Sequence, residues 1–215
     1  LSALLVSFGL QSFSQLRLPA LVSSGMVLQQ KAVTRLNGWG GPGSWVKVTT
    51  GWDNRTDSVK VTNLAAWSIP VNTPAAGGPY TIRIRNNGSE ILLTDVLIGE
   101  VWICSGQSNM EMPMKGFKNQ PVSNSSEMLA EAGNFNLRLF ETKRNASKSP
   151  QTDIDGEWKV SDSSSAREFS AVAFMYGWML QKKLKVPVGI IVSSVGGTRI
   201  QSWMDYQTLM ILPDS

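Results

Sequence analysis

The sequence has no histidine and only one cysteine, Cys104. Without histidine, a His-ligated metal site is excluded, and the most common general base is missing from any mechanism confined to these residues. A single cysteine allows neither an internal disulfide nor a cysteine-rich zinc site. Any catalytic chemistry within this chain must therefore rest on other side chains.

An excess of charge of one sign is also lacking. The chain of 215 residues has 20 Lys and Arg against 16 Asp and Glu, for a formal charge of +4. Its only tight basic cluster is Lys182, Lys183 and Lys185. This pattern argues against a nucleic-acid partner. Apolar residues make up 42% and charged residues 17%, which is typical of a folded globular protein. No apolar run reaches membrane-spanning length, so we expect no stable membrane insertion.

The first residues have the pattern of a secretory signal. Leu1–Leu10 is almost entirely apolar, and Ser12-Phe13-Ser14 is a small-x-small sequence before Gln15. These features are typical of the apolar core and cleavage site of a signal peptide, although the basic start is missing. We predict that residues 1–14 are a signal-peptide remnant and that the protein is secreted or periplasmic. The alternative is a buried N-terminal strand or helix.

Residues 15–96 have the sequence pattern of an antiparallel sheet. Short alternating runs are separated by turns rich in glycine and proline, which predicts a small antiparallel β-sandwich. Asn87-Gly88 lies between two such runs and is a strong hairpin signal. The clearest alternating runs are Trp45–Thr50, Asp57–Thr62 and Tyr80–Arg85.

Residues 97–215 have a different sequence pattern, in which predicted strands alternate with predicted helices. Val101–Cys104 and Val188–Val192 are continuous apolar runs, as expected for strands buried on both faces. Asn136–Phe140 predicts a third strand. Asn124–Glu127 and Ser165–Glu168 look like capping boxes, and the second precedes apolar residues at helical spacing that end before Pro187. The predicted fold class is therefore α/β, with a mostly parallel sheet following the sandwich.

Two of these strands end in sequences suited to chemistry. The first is followed by Ser105–Asn109, and the second by Ser193–Thr198. In an open α/β sheet, ligands bind outside the carboxyl ends of parallel strands. A serine in a tight turn can act as a nucleophile there, and neighbouring glycines let backbone N–H groups approach an oxyanion. The pattern favours acyl transfer, and the alternative is a pair of ordinary βα turns.

These segments also carry a family resemblance. Val101-Trp-Ile-Cys-Ser-Gly-Gln-Ser-Asn-Met-Glu-Met-Pro113 resembles the nucleophile block of the sialate O-acetylesterase family, within the SGNH hydrolase superfamily. Gly196-Gly-Thr-Arg-Ile-Gln-Ser-Trp-Met204 resembles that family's second block, and Leu18–Gln30 resembles the opening of its β domain. The resemblance extends from about Leu16 to Met204. It implies that residues 97–215 form the first part of an SGNH-type, flavodoxin-like sheet.

The resemblance implies a role for three residues. Ser108 would be the nucleophile, and the backbone N–H groups of Ser108 and Gly197 would line the oxyanion hole, with Gly196 shaping the turn. The family's Gln-Gly-Glu segment and its Asp-x-x-His segment do not occur in this sequence and would lie beyond Ser215. We therefore expect an incomplete sheet and a chain that is inactive alone. The implied protein is an esterase that removes acetyl groups from sugars or glycans through an acyl-enzyme, without metal or cofactor.

Five residues near the two blocks are candidates for substrate binding. Arg199 could hold a carboxylate such as that of a sialic acid, or it could pair with Glu111. Trp203 is a candidate wall for the sugar. The full set of substrate-binding candidates is Gln107, Asn109, Glu111, Arg199 and Trp203.

Other motifs admit less specific interpretations. Gly38–Gly43 fits the dinucleotide-binding pattern, but a strand and not a helix is predicted after it. Cys104 could be a thiol nucleophile, although its apolar surroundings favour a buried structural role. A Ser–Lys arrangement would need Lys115 to reach Ser108, whereas lysines are mostly solvated.

A second function of a different class is a non-catalytic carbohydrate-binding protein, or an inactive remnant of an esterase. Four tryptophans of the sandwich could stack on sugar rings, but such residues more often fill a core or its rim. They are Trp39, Trp45, Trp52 and Trp67.

Overall fold

The computed structural model describes residues 15–134, 136–147 and 149–211, so the predicted signal segment 1–14 lies outside the described residues. The strands are β1 (Val27–Gln29), β2 (Val33–Trp39), β3 (Trp45–Thr50), β4 (Thr56–Lys60), β5 (Ala66–Asn72), β6 (Gly77–Asn86), β7 (Ser89–Gly106), β8 (Leu137–Glu141), β9 (Trp158–Val160) and β10 (Val188–Ser194). The α-helices are α1 (Ser108–Glu111), α2 (Ser125–Glu131), α3 (Ser163–Glu168), α4 (Ala171–Leu184) and α5 (Tyr206–Met210).

The long strand β7 organises the molecule. Its first part pairs antiparallel with β6, and its last part, from Glu100 to Gly106, pairs in parallel with β10. The resulting mixed sheet has the order β4-β3-β6-β7-β10-β8-β9, and β1 adds to β7 in parallel. The predicted α/β class with a parallel portion is confirmed. The division expected near residue 96 falls inside β7, so one continuous strand serves both parts of the chain.

The first part is built as two facing layers. The antiparallel pair β2–β5 lies apart from the large sheet, and residues of both sheets share one buried cluster. Leu36 and Trp67 contribute to it from the small sheet, and Val46 and Ile84 contribute from the large one. The hairpin predicted at Asn87-Gly88 joins β6 to β7, with positive φ at both turn residues, as a type I′ turn requires.

The second part buries one face of the parallel strands under helices. Strands β7, β10 and β8 run in parallel, and β9 closes the far edge in antiparallel orientation. Leu139 of β8, Ile190 of β10 and Phe174 of α4 are fully buried in a second cluster. The strands predicted at Asn136–Phe140 and Val188–Val192 are confirmed. Within the described residues, every helix is too short or too polar to traverse a bilayer.

Both predicted capping boxes are wrong in detail. Asn124 precedes α2 in a left-handed conformation with φ of 58°, so its side chain makes no cap. Ser165 lies inside α3, where it forms a capping box with Asp162 as the N-cap. Extended backbone at Phe169 ends α3, and the Ser170 side chain caps α4, so the single predicted helix is two helices.

The expectation that Val101–Cys104 is buried on both faces is also wrong. Trp102 is 43% exposed and Ile103 is 73% exposed. Among the described strands, only β10 pairs with residues 100–106 of β7. This stretch is therefore an edge of the sheet, and its apolar side chains lack the cover that a central strand receives.

Candidate functional site

The two strand ends singled out in the sequence lie side by side. Ser105 is the register partner of Ser193, and Gly106 is the partner of Ser194. One residue further on, the N–H of Val195 donates to the carbonyl of Gly106 at 3.0 Å. The parallel pairing brings the segments after β7 and β10 to one edge of the sheet, as the sequence predicted.

Ser108 is the first residue of the short helix α1. The helix is initiated by Gln107, whose carbonyl accepts the N–H groups of Met110 at 2.9 Å and Glu111 at 3.0 Å. Ser108 is exposed, and its hydroxyl has no hydrogen-bond partner in the part of the chain that the structure describes. The strand-turn-helix geometry therefore presents this hydroxyl at the surface, directly beyond the sheet edge.

Gly196 and Gly197 are glycine for different physical reasons. A Cβ at Gly196 would overlap the Glu111 Oε2 and would lie 3.7 Å from the Ser108 Cα, so a side chain there would displace the Glu111 carboxylate. Gly197 has a φ of +78°, with open space where a Cβ would be. Its need is conformational, since L side chains are strained in this region. No described residue accepts the Gly197 N–H, which leaves that donor available.

Glu111 connects the two segments. Its Oε2 accepts the N–H of Gly196 at 2.8 Å, and its other oxygen forms an ion pair with Arg144. The interpretation that Arg199 pairs with Glu111 is therefore not what the structure has. Sequence reasoning missed Arg144, which follows β8 at the same edge of the sheet. The signal available in the sequence was that β8 is a third parallel strand ending there.

The remaining candidates surround this edge in different ways. Gln107, Asn109 and Arg199 are exposed. The Trp203 Nε1 donates to the Thr198 Oγ1 at 2.9 Å, which fixes the indole against the loop that carries Gly197. Trp203 is therefore held against the second segment.

A cavity of about 870 Å³ adjoins the same edge. It is lined by Glu111 and Ser194 and extends along β8, β9 and α3. Most of its lining residues are polar or charged, including Glu141, Arg144 and Asp162. A volume of this size accommodates a ligand of one or two sugar rings. Among the described residues, no group of three His, Cys, Asp or Glu is arranged to hold a metal ion.

Two alternative nucleophile arrangements gain no geometric support. The Lys115 Nζ contacts the Glu168 carboxylate at 2.5 Å, which directs this lysine away from a Ser–Lys pairing. Burial raises the pKa of the Cys104 thiol, which lowers the thiolate fraction that a nucleophile needs.

The four tryptophans of residues 15–96 differ in burial and in the residues that they contact. Trp67 is buried in the sandwich core, whereas Trp45 is 57% exposed. Trp39 lies beneath the Arg17 guanidinium, and Trp52 contacts Tyr80 edge to face. Filling of the core is thus confirmed for Trp67.

Known proteins match this chain over both parts. Residues 98–211 match the family model described as carbohydrate esterase, sialic acid-specific acetylesterase. The sialate O-acetylesterases of Pongo abelii and Homo sapiens are each 30% identical to it over 210 residues, which cover 90% of this chain and 39% of theirs. The chain thus spans about two fifths of the length of these curated relatives.

A solved structure gives the same result in three dimensions. A carbohydrate acetylesterase from Xanthomonas citri superposes with a TM-score of 0.84 at 34% sequence identity. The match covers 92% of this chain and 44% of the other.

Proposed function

Because this chain belongs to the carbohydrate esterase family of sialic acid-specific acetylesterases, we propose that it supplies the nucleophile of a serine esterase that removes O-acetyl groups from sugars. The observation that carries the proposal is the position of Ser108. Its exposed hydroxyl stands at the carboxyl edge of the parallel strands, beside a glycine turn with a free backbone donor.

The reaction follows from these groups. The Ser108 oxygen attacks the acetyl carbonyl carbon while its proton passes to a base, and the carbonyl oxygen becomes an oxyanion. The N–H groups of Ser108 and Gly197 stabilise this charge. When the tetrahedral intermediate collapses, the bond to the sugar oxygen breaks, and that oxygen takes up the proton as a hydroxyl. Water then attacks the acetyl-serine by the same steps and releases acetate.

The base is the part of the machinery that this sequence does not supply. Serine is a weak nucleophile without a neighbouring proton acceptor, and the chain has no histidine. We propose that the base belongs to the Asp-x-x-His segment of the longer relatives and that the 215 residues alone hydrolyse esters very slowly. A non-catalytic carbohydrate-binding protein is the alternative that this leaves.

The acetylated sugar occupies the cavity beside Glu111 and Ser194 in this proposal. The polar and charged residues that line it suit the many hydroxyl groups of a sugar. Glu111 and Ser194 bring the cavity to the sheet edge that carries Ser108, which does not itself line it. Four of the sequence-predicted candidates lie outside this cavity and would contact the acetyl-bearing end of the substrate beside it; they are Gln107, Asn109, Arg199 and Trp203. The proposed setting is outside the cytoplasm, because the segment 1–14 has the pattern of a signal peptide.

The test is a Ser108→Ala variant of the full-length protein, assayed for acetate release from O-acetylated sugars. Removing one exposed hydroxyl should change the free energy of unfolding by no more than about 0.5 kcal/mol. Activity should fall by several orders of magnitude, with about 10⁶-fold as the precedent for a lost serine nucleophile. The matched control is Ser126→Ala, since Ser126 is an exposed serine near the start of the short helix α2. Equal activity of both variants would refute the assignment of Ser108.

A further inference from the structure

Glu111 occupies a position that substrate binding does not explain. It is the last residue of α1, the helix that begins at Ser108, and its carboxylate accepts the Gly196 N–H at 2.8 Å. Gly196 immediately precedes Gly197. The side chain therefore joins the helix of the nucleophile to the turn that carries the proposed oxyanion donor.

We propose that Glu111 is a positioning residue that holds the Gly196–Gly197 turn at its working distance from Ser108. The inference rests on the proposed esterase function. It gives Glu111, which lines the proposed sugar cavity, a role beyond contact with the sugar, because one of its oxygens is engaged by Gly196 and the other by Arg144.

The packing around Gly196 supports this role. A Cβ at this position would overlap the Glu111 carboxylate and would lie in contact with the Ser108 Cα. The φ of Gly196 is not in the left-handed region, so its lack of a side chain serves the close approach rather than the turn. Gly197 then takes the left-handed conformation that orients the following peptide. The hydrogen bond from Gly196 fixes the start of that turn.

The hydrogen bond is of the stronger, charge-assisted kind. A backbone N–H that donates to a carboxylate is bound about twice as strongly as one that donates to a neutral acceptor. The Glu111 side chain is 25% exposed, so water competes only in part. Arg144, at 61% exposure, holds the second oxygen and restricts the rotation of the carboxylate. The contribution of Arg144 is smaller because its end of the ion pair is solvated.

The kinetic signature of such a residue is specific. An oxyanion donor acts on charge that exists only in the transition state, so displacing it lowers kcat and leaves KM nearly unchanged. In the full-length protein, Glu111→Ala should lower kcat by about 10²-fold, near the lower end for loss of one donor. Glu111→Gln keeps a carbonyl oxygen that can accept the Gly196 N–H, so it should recover at least 10-fold of that loss, about half of it on a logarithmic scale. Arg144→Met should lower kcat by less than about 10-fold.

The control is Glu90→Ala, which removes an exposed glutamate that pairs with Arg83 and Arg85 in the β6–β7 hairpin. Its kinetics should match those of the wild type. A raised KM at constant kcat in Glu111→Ala would overturn the proposal and restore a substrate contact. Equal kcat values for the Ala and Gln variants would also overturn it, because the acceptor oxygen would then be irrelevant.

A second measurement does not depend on activity. In ¹⁵N-glycine-labelled protein, the Gly196 amide proton should resonate downfield because it donates to a carboxylate, and it should shift upfield in Glu111→Ala. An unchanged Gly196 resonance would overturn the contact itself. If Glu111→Ala fails to fold, the kinetic and the Gly196 resonance measurements are both made on the Glu111→Gln and Arg144→Met variants. Failure of the esterase function is a separate result, namely full activity of Ser108→Ala.

Discussion

Gly106 and Ser194 are register partners at the ends of two adjacent parallel strands. This single pairing places the segment of Ser108 next to the segment of Gly197, although Gly197 lies 89 positions further along the chain. Everything proposed for the site depends on β7 and β10 ending level with each other.

Gly197→Ala should weaken the proposed oxyanion hole without filling any space. The φ of +78° should cost an L residue about 1–2 kcal/mol, and relaxation of the strain should turn the N–H away from its working direction. We expect acetyl-ester hydrolysis by the full-length protein to fall by about 10²–10³-fold. Gly43→Ala is the matched control, because Gly43 also has a positive φ of 75° and open space, in the turn between β2 and β3. Equal losses of activity in both variants would mean that strain alone accounts for the effect.

Asp95→Ala should destabilise the junction between β7 and β8. The Arg138 side chain is only 9% exposed, and its Nη2 donates to both Asp95 oxygens, at 3.1 and 2.9 Å. Removing the carboxylate leaves a buried guanidinium without its acceptor, at a cost of about 1–3 kcal/mol in urea denaturation. Asp95 has a φ of 54°, so Asp95→Asn, which tolerates this conformation and keeps one acceptor oxygen, should lose less. A larger loss in the Asn variant would contradict this account.

Ile103→Lys should reduce self-association of the 215-residue chain. Ile103 is 73% exposed on the stretch of β7 that pairs on one side only, and exposed apolar strand edges recruit other chains. Sedimentation velocity at increasing concentration should show aggregation of the unmodified chain and less of it in the variant. Leu64→Lys is the control, since Leu64 is 87% exposed but lies in a turn. An equal reduction by Leu64→Lys would point to net charge rather than to the edge.

The exported protein should begin at Gln15. The small-x-small pattern at Ser12–Ser14 predicts cleavage before this residue, after which Leu16 is buried in the sandwich cluster. Intact mass spectrometry of protein from the culture medium or periplasm would reveal the terminus. Recovery of exported material that retains residues 1–14 would rule out this cleavage site.

The meeting of the two serine and glycine segments could be predicted because strand direction is fixed by the alternation of strands with helices. Neighbouring parallel strands have their carboxyl ends at the same edge of the sheet. The proximity of the segments that carry Ser108 and Gly197 therefore follows from the order of the elements. The break between α3 and α4 could not be found in this way, since apolar spacing continues across Phe169 and Ser170. It depends on a side-chain cap from Ser170 to the Ala173 N–H.

Tertiary contacts account for what the sequence left open at the site. Nothing near Glu111 in the chain identifies its partners, because Glu111 ends α1, whereas Gly196 follows β10 and Arg144 follows β8. The exposure of Trp102 and Ile103 was likewise hidden, since an apolar run of four residues looks the same at an edge as in the centre of a sheet. Only the pairing pattern separates the two cases.

The one-sided pairing of residues 100–106 leaves a site for a further strand directly beside Ser108. Alternate peptide groups along this stretch point away from β10 and form a template just before Ser108. A strand that paired with this side in parallel would satisfy these peptide groups and would place its carboxyl end at the same sheet edge as Ser108.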